Sequence, residues 1–374
     1  MRSEAAARRQ RSNIFMRQFE ALAIIVSVGI GLYFILFREQ LVPAHFQFDS
    51  NKIQEGAQGR VYDDYTFDTV SSIYRFLGLA DSPDLAGILG YGLFVITLLV
   101  AMRRTKGTPT LYRILVVSIA AVLAGIYLGG FSKDAFVLLI VLAVLIAGGS
   151  RAWDVLVIAI MVWYGVNFRQ YWLLIAVGYV AFRIVQRRPL RARWLLIWLA
   201  VGIVIISVGF WFVLDIAPDT YRTRVNEVRL DVASSTMIQP FVDGVQPLAG
   251  IVNNLLTALV LLFPLPLVFI GEIYYVAIAA LLLVVWGGFL VSASRFGRNQ
   301  RLVDAGNVVT VRAISLVLAF VMVQSLFEPD YGSALRHLIP LLPLMIAVGT
   351  VRFASSGTAE SQASQSPTIT GVRS

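Results

Sequence analysis

Long apolar blocks separated by short polar turns run through most of the chain. They fall near residues 21–37, 85–101, 114–130, 135–149, 153–166, 172–182, 194–214, 274–292, 313–327 and 337–350. Each approaches the roughly 20 residues that cross a bilayer as a helix. None shows the alternation over about 10 residues that marks a barrel strand. The pattern predicts an all-α polytopic membrane protein with about 10 transmembrane helices. One more block, 248–270, carries Asn253, Asn254 and the break Phe263-Pro264-Leu265-Pro266. Two prolines so close remove helix hydrogen bonds, so this block reads as a re-entrant or interfacial element.

Charge orients the helices. Arg2, Arg8, Arg9, Arg11 and Arg17 precede the first block, which runs into Arg38 and Glu39 with no small-residue cleavage site. It therefore reads as a retained helix, not a cleaved signal. With 248–270 not spanning, the segments on the N-terminal side of the membrane hold 21 of the 31 lysines and arginines. That is the positive-inside bias and puts both termini in the cytoplasm. If 248–270 spanned, Arg295, Arg298, Arg301 and Arg312 would fall outside. The acidic residues go the other way, 16 of 22 lying in outer segments, chiefly the two long loops 38–84 and 215–250. Loops of that length are usually functional or disordered. The organisation expected is a basic cytoplasmic N-terminus (1–20), a transmembrane domain (21–353) and a disordered, Ser/Thr/Gln-rich cytoplasmic tail (354–374).

Composition narrows the function. The chain is 58% hydrophobic and 14% charged, against about 25% charged for a soluble domain, which excludes a soluble enzyme or a nucleic-acid-binding module. The net charge of +9 follows from the cytoplasmic loops. There is no cysteine, and the only histidines are His45 and His337. Disulfides, thiolate chemistry and a multi-histidine metal site are excluded, and neither a metal nor a cofactor is expected. Phosphate-loop, zinc-protease and serine-hydrolase motifs are absent. Gly125 and Gly129 form a GxxxG pair, which in membranes marks close helix packing. No internal repeat is visible, against the inverted-repeat transporters.

The remaining candidates are polar residues at the outer helix ends, where ionisable groups are costly and mark sites. Asp49, beside His45 and Lys52, could act as a general base or simply cap a helix in a solvated loop. Lys133 lies in a turn too short to leave the bilayer surface. It reads either as a site cation or as a snorkelling lysine paired with Asp134. Arg169, Tyr171 and Trp172 suit the membrane interface, and equally a sugar-phosphate site of guanidinium fork and ring faces. Glu328, Asp330, Tyr331, Arg336 and His337 fall within ten residues. Arg336 and His337 would open a helix carrying Pro340 and Pro343, and two cations at a helix start favour a bound anion. In the second long loop, Arg222, Arg224, Glu227, Arg229 and Asp231 fit ion pairs along a surface helix. Arg222 and Arg224 could equally meet a lipid pyrophosphate at the headgroups.

At these places the chain resembles the bacterial polysaccharide polymerases of the Wzy type, including the EpsG-like group. The matching pieces are HFQFDSNKIQ after the first helix, GGFSKDAFVLLIVLAV, NFRQYWL, NNLLTALVLLFPLPLVFIGE and YGSALRHLIPLLPL. Their order and spacing cover about residues 40 to 350. The resemblance implies an inner-membrane glycosyltransferase related to the GT-C class, with its active face outside the cytoplasm. Its substrates would be undecaprenyl-pyrophosphate-linked oligosaccharides. The growing chain passes from its lipid carrier to the non-reducing end of a new repeat unit. In that class an acidic residue of the first outer loop often serves as base, and Asp49 matches that place. The implied partners are the lipid-linked substrates, membrane lipids, and a chain-length regulator and flippase of the same pathway. No DxD metal motif is present; Asp63-Asp64 is the nearest approach. Other lipid-linked GT-C enzymes and O-antigen ligases share these features. A flippase or transporter would instead want charges along a central path, and a structural subunit would not need arginine-rich outer turns.

Overall fold

The computed structural model describes residues 2–43, 46–104, 109–187, 190–228, 236–298 and 305–349. His45, Arg229, Asp231 and the 354–374 tail lie outside the described residues. The helices are α1 (Arg2–Leu36), α2 (Arg38–Leu41), α3 (Phe48–Ala57), α4 (Tyr65–Phe76), α5 (Pro83–Arg104), α6 (Leu111–Leu128), α7 (Val137–Ile146), α8 (Arg151–Asn167) and α9 (Tyr171–Val185). There follow α10 (Ala192–Leu214), α11 (Thr220–Val228), α12 (Leu248–Leu262), α13 (Leu265–Phe269), α14 (Ile273–Arg298), α15 (Ala305–Phe327), α16 (Tyr331–Leu338) and α17 (Leu342–Gly349). Among the described residues there is no strand, only an isolated antiparallel bridge between Met237 and Asp330.

Seven helical stretches are long and apolar enough to cross a membrane: Ser12–Leu36, Pro83–Arg104, Leu111–Leu128, Ala192–Leu214, Ile273–Arg298, Val308–Phe327 and Tyr331–Val348. Three blocks expected to span form helices too short for that length: α7 has 10 residues, α8 has 17 and α9 has 15. At 1.5 Å per residue α7 covers about 15 Å, half of a hydrocarbon core. The chain breaks at Phe263-Pro264 into α12 and α13, as the paired prolines require.

Helix α15 is the hub. Its apolar window is 94% buried, and it packs against α9, α10, α12 and α17. A helix apolar all round belongs in such a centre. The α1–α6 contact depends on the small-residue pair: a Cβ on Gly125 would sit 2.5 Å from the Cα of Gly31. Ion pairs fix one end of the bundle. Arg113 grips Glu20 through Nε (2.5 Å) and Nη2 (2.6 Å), tying α6 to α1. Asp154 of α8 pairs with Arg183 of α9 at 3.1 Å and Arg312 of α15 at 2.8 Å.

The α1–α6 contact makes a direct expectation. Gly125→Leu should prevent that approach and lower the yield and thermal midpoint of folded protein in detergent. Gly92→Leu, where a Cβ meets nothing within 4 Å, should leave both unchanged.

Candidate functional site

The opposite end of the bundle is built differently. Helices α1, α6, α8 and α15 all finish there, each presenting carbonyls that lack a partner within the helix and the negative end of its dipole. Cations collect in the segments that follow. Arg38, just past α1, donates from Nη1 to the Ile126 carbonyl in the last turn of α6 at 2.8 Å. Gly130 makes room for it, since a Cβ there would lie 3.1 Å from Arg38 Nε and 2.8 Å from Ser50 Oγ.

Asp134 is the centre. It starts a 3-10 turn ahead of α7, and only 2% of its side chain is exposed. Its backbone N–H donates to Ser132 Oγ at 3.1 Å, and the Ser132 N–H donates to Tyr74 Oη at 3.2 Å. The carboxylate takes Arg169 Nη2 at 3.1 Å and Arg336 Nε at 2.9 Å. Arg336 Nη2 then reaches Asp49 at 2.8 Å. The result is a chain, Asp49–Arg336–Asp134–Arg169, assembled from four distant parts of the sequence. Arg169 and Arg336 take the two carboxylates, Arg38 is held by a backbone carbonyl instead, and the Nε atoms of Arg38 and Arg169 are buried with no partner.

Beside this chain sits a carboxylate–imidazole pair. Glu328, 1% exposed, accepts from Ser333 Oγ and lies 3.0 Å from His337 Nδ1. The Tyr171 ring lies 6.3 Å from that imidazole and 5.9 Å from Phe327. Residues 236–238 of the second long loop reach the same place: Ile238 N–H donates to the Pro329 carbonyl at 2.8 Å, and Tyr331 N–H to that of Thr236 at 3.1 Å. Helices α3 and α4 pack together as a roof, and Tyr65 of α4 donates to the Val166 carbonyl at 3.1 Å.

Several expectations need correction. Arg336 and His337 do not open a helix; α16 starts at Tyr331, and both lie in its last turn. Asp330 caps that start by accepting from Ser333 N–H at 2.8 Å, as Asp at an N-cap favours, so this helix start is already satisfied. Lys133 does not pair with Asp134. Its ammonium donates to Thr66 Oγ1 at 2.6 Å and sits 3.3 Å from the Phe67 ring centre, because two guanidiniums outcompete it for the carboxylate. Lys52 turns away from Asp49, onto the Phe67 and Tyr62 rings at 4.0 and 4.7 Å. Tyr331 faces an apolar groove with Leu261, Trp286 and Leu335. Arg222 is fully buried, not at the surface, whereas Arg224 is exposed. No ion pair forms along α11 among the described residues.

Charge states follow the contacts. Burial would raise the Asp49 carboxyl, but the Arg336 and Arg169 guanidiniums outweigh it and hold it below its ordinary value. Burial, then Arg169, pushes the Lys133 ammonium down to about 8. Burial, then Arg336, pushes Arg38 down to about 10. Among the described residues no group of three His, Asp or Glu could hold a metal ion. Sequence reading missed Arg38 and undervalued Asp134. The available signals were an arginine directly after a span and a carboxylate in a turn too short to leave the bilayer surface.

No protein-family model, curated protein or solved structure matches this chain.

Asp134→Asn leaves two half-buried guanidiniums short of a counter-charge. It should cost about 3–5 kcal/mol, read as a fall in thermal midpoint, while Asp63→Asn at an exposed carboxylate should change little. Lys133 gives a pH signature. An unfolded lysine keeps its proton to about pH 10.4. Between that and about pH 8 the unfolded chain holds more protons, so stability rises with pH there. Lys133→Met should therefore be more stable than wild type at neutral pH, and the gap should close as pH rises through that window.

Proposed function

We propose that the chain polymerises undecaprenyl-pyrophosphate-linked repeat units into a bacterial surface polysaccharide. In this reading it is a GT-C-like, multi-pass enzyme of the inner membrane with its active face outside the cytoplasm. The carrying observation is the cluster of Arg38, Arg169 and Arg336 at one end of an apolar bundle, with more guanidiniums than carboxylates and two buried N–H groups empty. A lipid diphosphate is an anion delivered at the membrane surface, and guanidiniums match its oxygens. Among the described residues, Asp154, Arg312, Glu20 and Arg113 gather at the far end. Charges at two ends suit a site at one membrane face better than a transport path.

The reaction assigns each group a task. The acceptor hydroxyl oxygen attacks the anomeric carbon of the growing chain. The bond from that carbon to the diphosphate oxygen breaks, and the lipid diphosphate leaves with the electron pair. Arg336, Arg169 and Arg38 hold that growing charge, which lowers the barrier selectively. The hydroxyl proton goes to His337. With Nδ1 turned to Glu328, Nε2 is left as the acceptor. Asp49 matches the family's base position, but an ion-paired carboxylate with a lowered pKa is a weak base. It sets the resting position of Arg336, and the diphosphate displaces it. Tyr171 offers a ring face to sugar. An O-antigen ligase would use the same groups and differ in its acceptor.

The test is purified protein with lipid-linked repeat units, read as a product ladder. His337→Asn and Glu328→Gln should slow chain growth about 10²–10⁴-fold, and Arg336→Ala about 10²–10³-fold. Arg336→Lys, which keeps charge and loses the fork, should fall between Arg336→Ala and wild type. Asp49→Asn should retain the most activity of the four positions. A dead Asp49→Asn beside an active His337→Asn moves the base to Asp49. Normal ladders from all of them overturn the reading.

A further inference from the structure

Arg222 of α11 has no exposed surface. Its Nη1 donates to Thr257 Oγ1 at 2.5 Å, the Ser325 carbonyl at 3.0 Å and Asn254 Oδ1 at 3.5 Å. Its Nε and Nη2 have no partner. Those two N–H groups lie on one edge of the guanidinium and point the same way, the fork that takes a carboxylate or phosphate. Other arginines here use that edge. Arg183 puts it on Asp154 at 3.2 and 3.1 Å, and Arg113 puts it on Glu20. Arg312, equally buried, uses it on Asp154 at 2.8 Å and the Ser150 carbonyl at 3.0 Å. Arg222 is the fully buried arginine whose edge is empty among the described residues.

The neighbours do not supply the missing charge. No carboxylate lies within ion-pair distance of Arg222 among the described residues. Asp219, the acid that acts on it, is held by Asn253 Nδ2 at 2.9 Å and Gln246 Nε2 at 3.3 Å. Burial dominates and pushes Arg222 down to about 10, with Asp219 only a partial offset. Asn254 is also spent, donating to Pro218 O at 3.0 Å and Ser207 Oγ at 3.1 Å. So Asp219 and Asn254 are committed, Nη1 is pinned, and the fork is left unfilled. Burying an ion without a partner is strongly unfavourable.

The fork also has a place relative to the first cluster. Tyr221, its chain neighbour, lies 5.2 Å from Phe327, which is stacked 5.9 Å from Tyr171, which lies 6.3 Å from His337. A run of packed rings thus joins the α11 region to the carboxylate–imidazole pair. We infer that the Arg222 Nε/Nη2 edge is a second anion site, taking a carboxylate or phosphate group on a saccharide substrate whose sugars lie along Tyr221, Phe327 and Tyr171. The saccharide part rests on the polymerase reading; the anion site does not. The fork is closed over in this structure, so α11 must shift for an anion to enter.

The test is calorimetric titration of the full chain in nanodiscs of zwitterionic lipid, with inorganic pyrophosphate and glucuronate as separate probes. Wild type should bind one anion at the Arg336 cluster and a second at Arg222. Arg222→Gln, with helical circular dichroism and monodisperse elution unchanged, should lose the second with at least a tenfold fall in affinity and keep the first. The probe lost tells whether phosphate or an acidic sugar is the better ligand. If Arg222→Gln does not fold, Arg222→Lys, which keeps charge without the fork, should show the same selective loss. Unchanged binding of both probes by a folded Arg222 variant overturns the inference, as does a wild type that binds only at the Arg336 cluster. Chain growth is read separately: two-site binding without a product ladder removes the polymerase reading and leaves the anion site standing.

Discussion

The organisation of the polar end depends on one buried carboxylate. Asp134 joins Arg169 and Arg336, and through Arg336 it reaches Asp49. Without it the guanidiniums on α16 and on the α8–α9 turn would repel each other in a setting with little water. Four helix C-termini already draw cations there. Asp134 determines where those cations stop, and the turn that carries it is fixed by Ser132 and Tyr74.

The two ends of the bundle show what such groups are for. At the far end the described guanidiniums that are buried or half-buried have their edges filled: Arg113 on Glu20, Arg183 and Arg312 on Asp154. Those pairs join α1 to α6, and α8 to α9 and α15, and leave nothing for a ligand. At the other end Arg38, Arg169 and Arg222 keep buried N–H groups unpaired. An unfilled buried donor costs stability, which a folding element would avoid and a binding element tolerates. The contrast within one chain is stronger support for a site than the number of arginines.

Parts of this were legible in the residues. Asp49, Arg169, Glu328, Arg336 and His337 were readable as candidates because each is ionisable and sits at a helix end. Their partners were not. Lys133 and Asp134 are adjacent in sequence and read as a pair, yet they point to different neighbours, because Asp134 has stronger partners arriving from α16 and the α8–α9 turn. Arg222 and Arg224 read as equivalent and are not: two residues along a helix lie on different faces, and packing buried one and exposed the other.

The sequence by itself determined the helical class, the proline break after α12 and the GxxxG contact, because hydropathy, backbone geometry and side-chain size are local properties. It also determined that polar chemistry would sit at helix ends. Only the tertiary structure decided which apolar blocks are full-length, that α16 starts at Tyr331 beneath Asp330, and which guanidinium edge is filled. Those outcomes depend on competition among groups up to about 200 residues apart, such as Asp134 and Arg336, and on helix packing that no local pattern records.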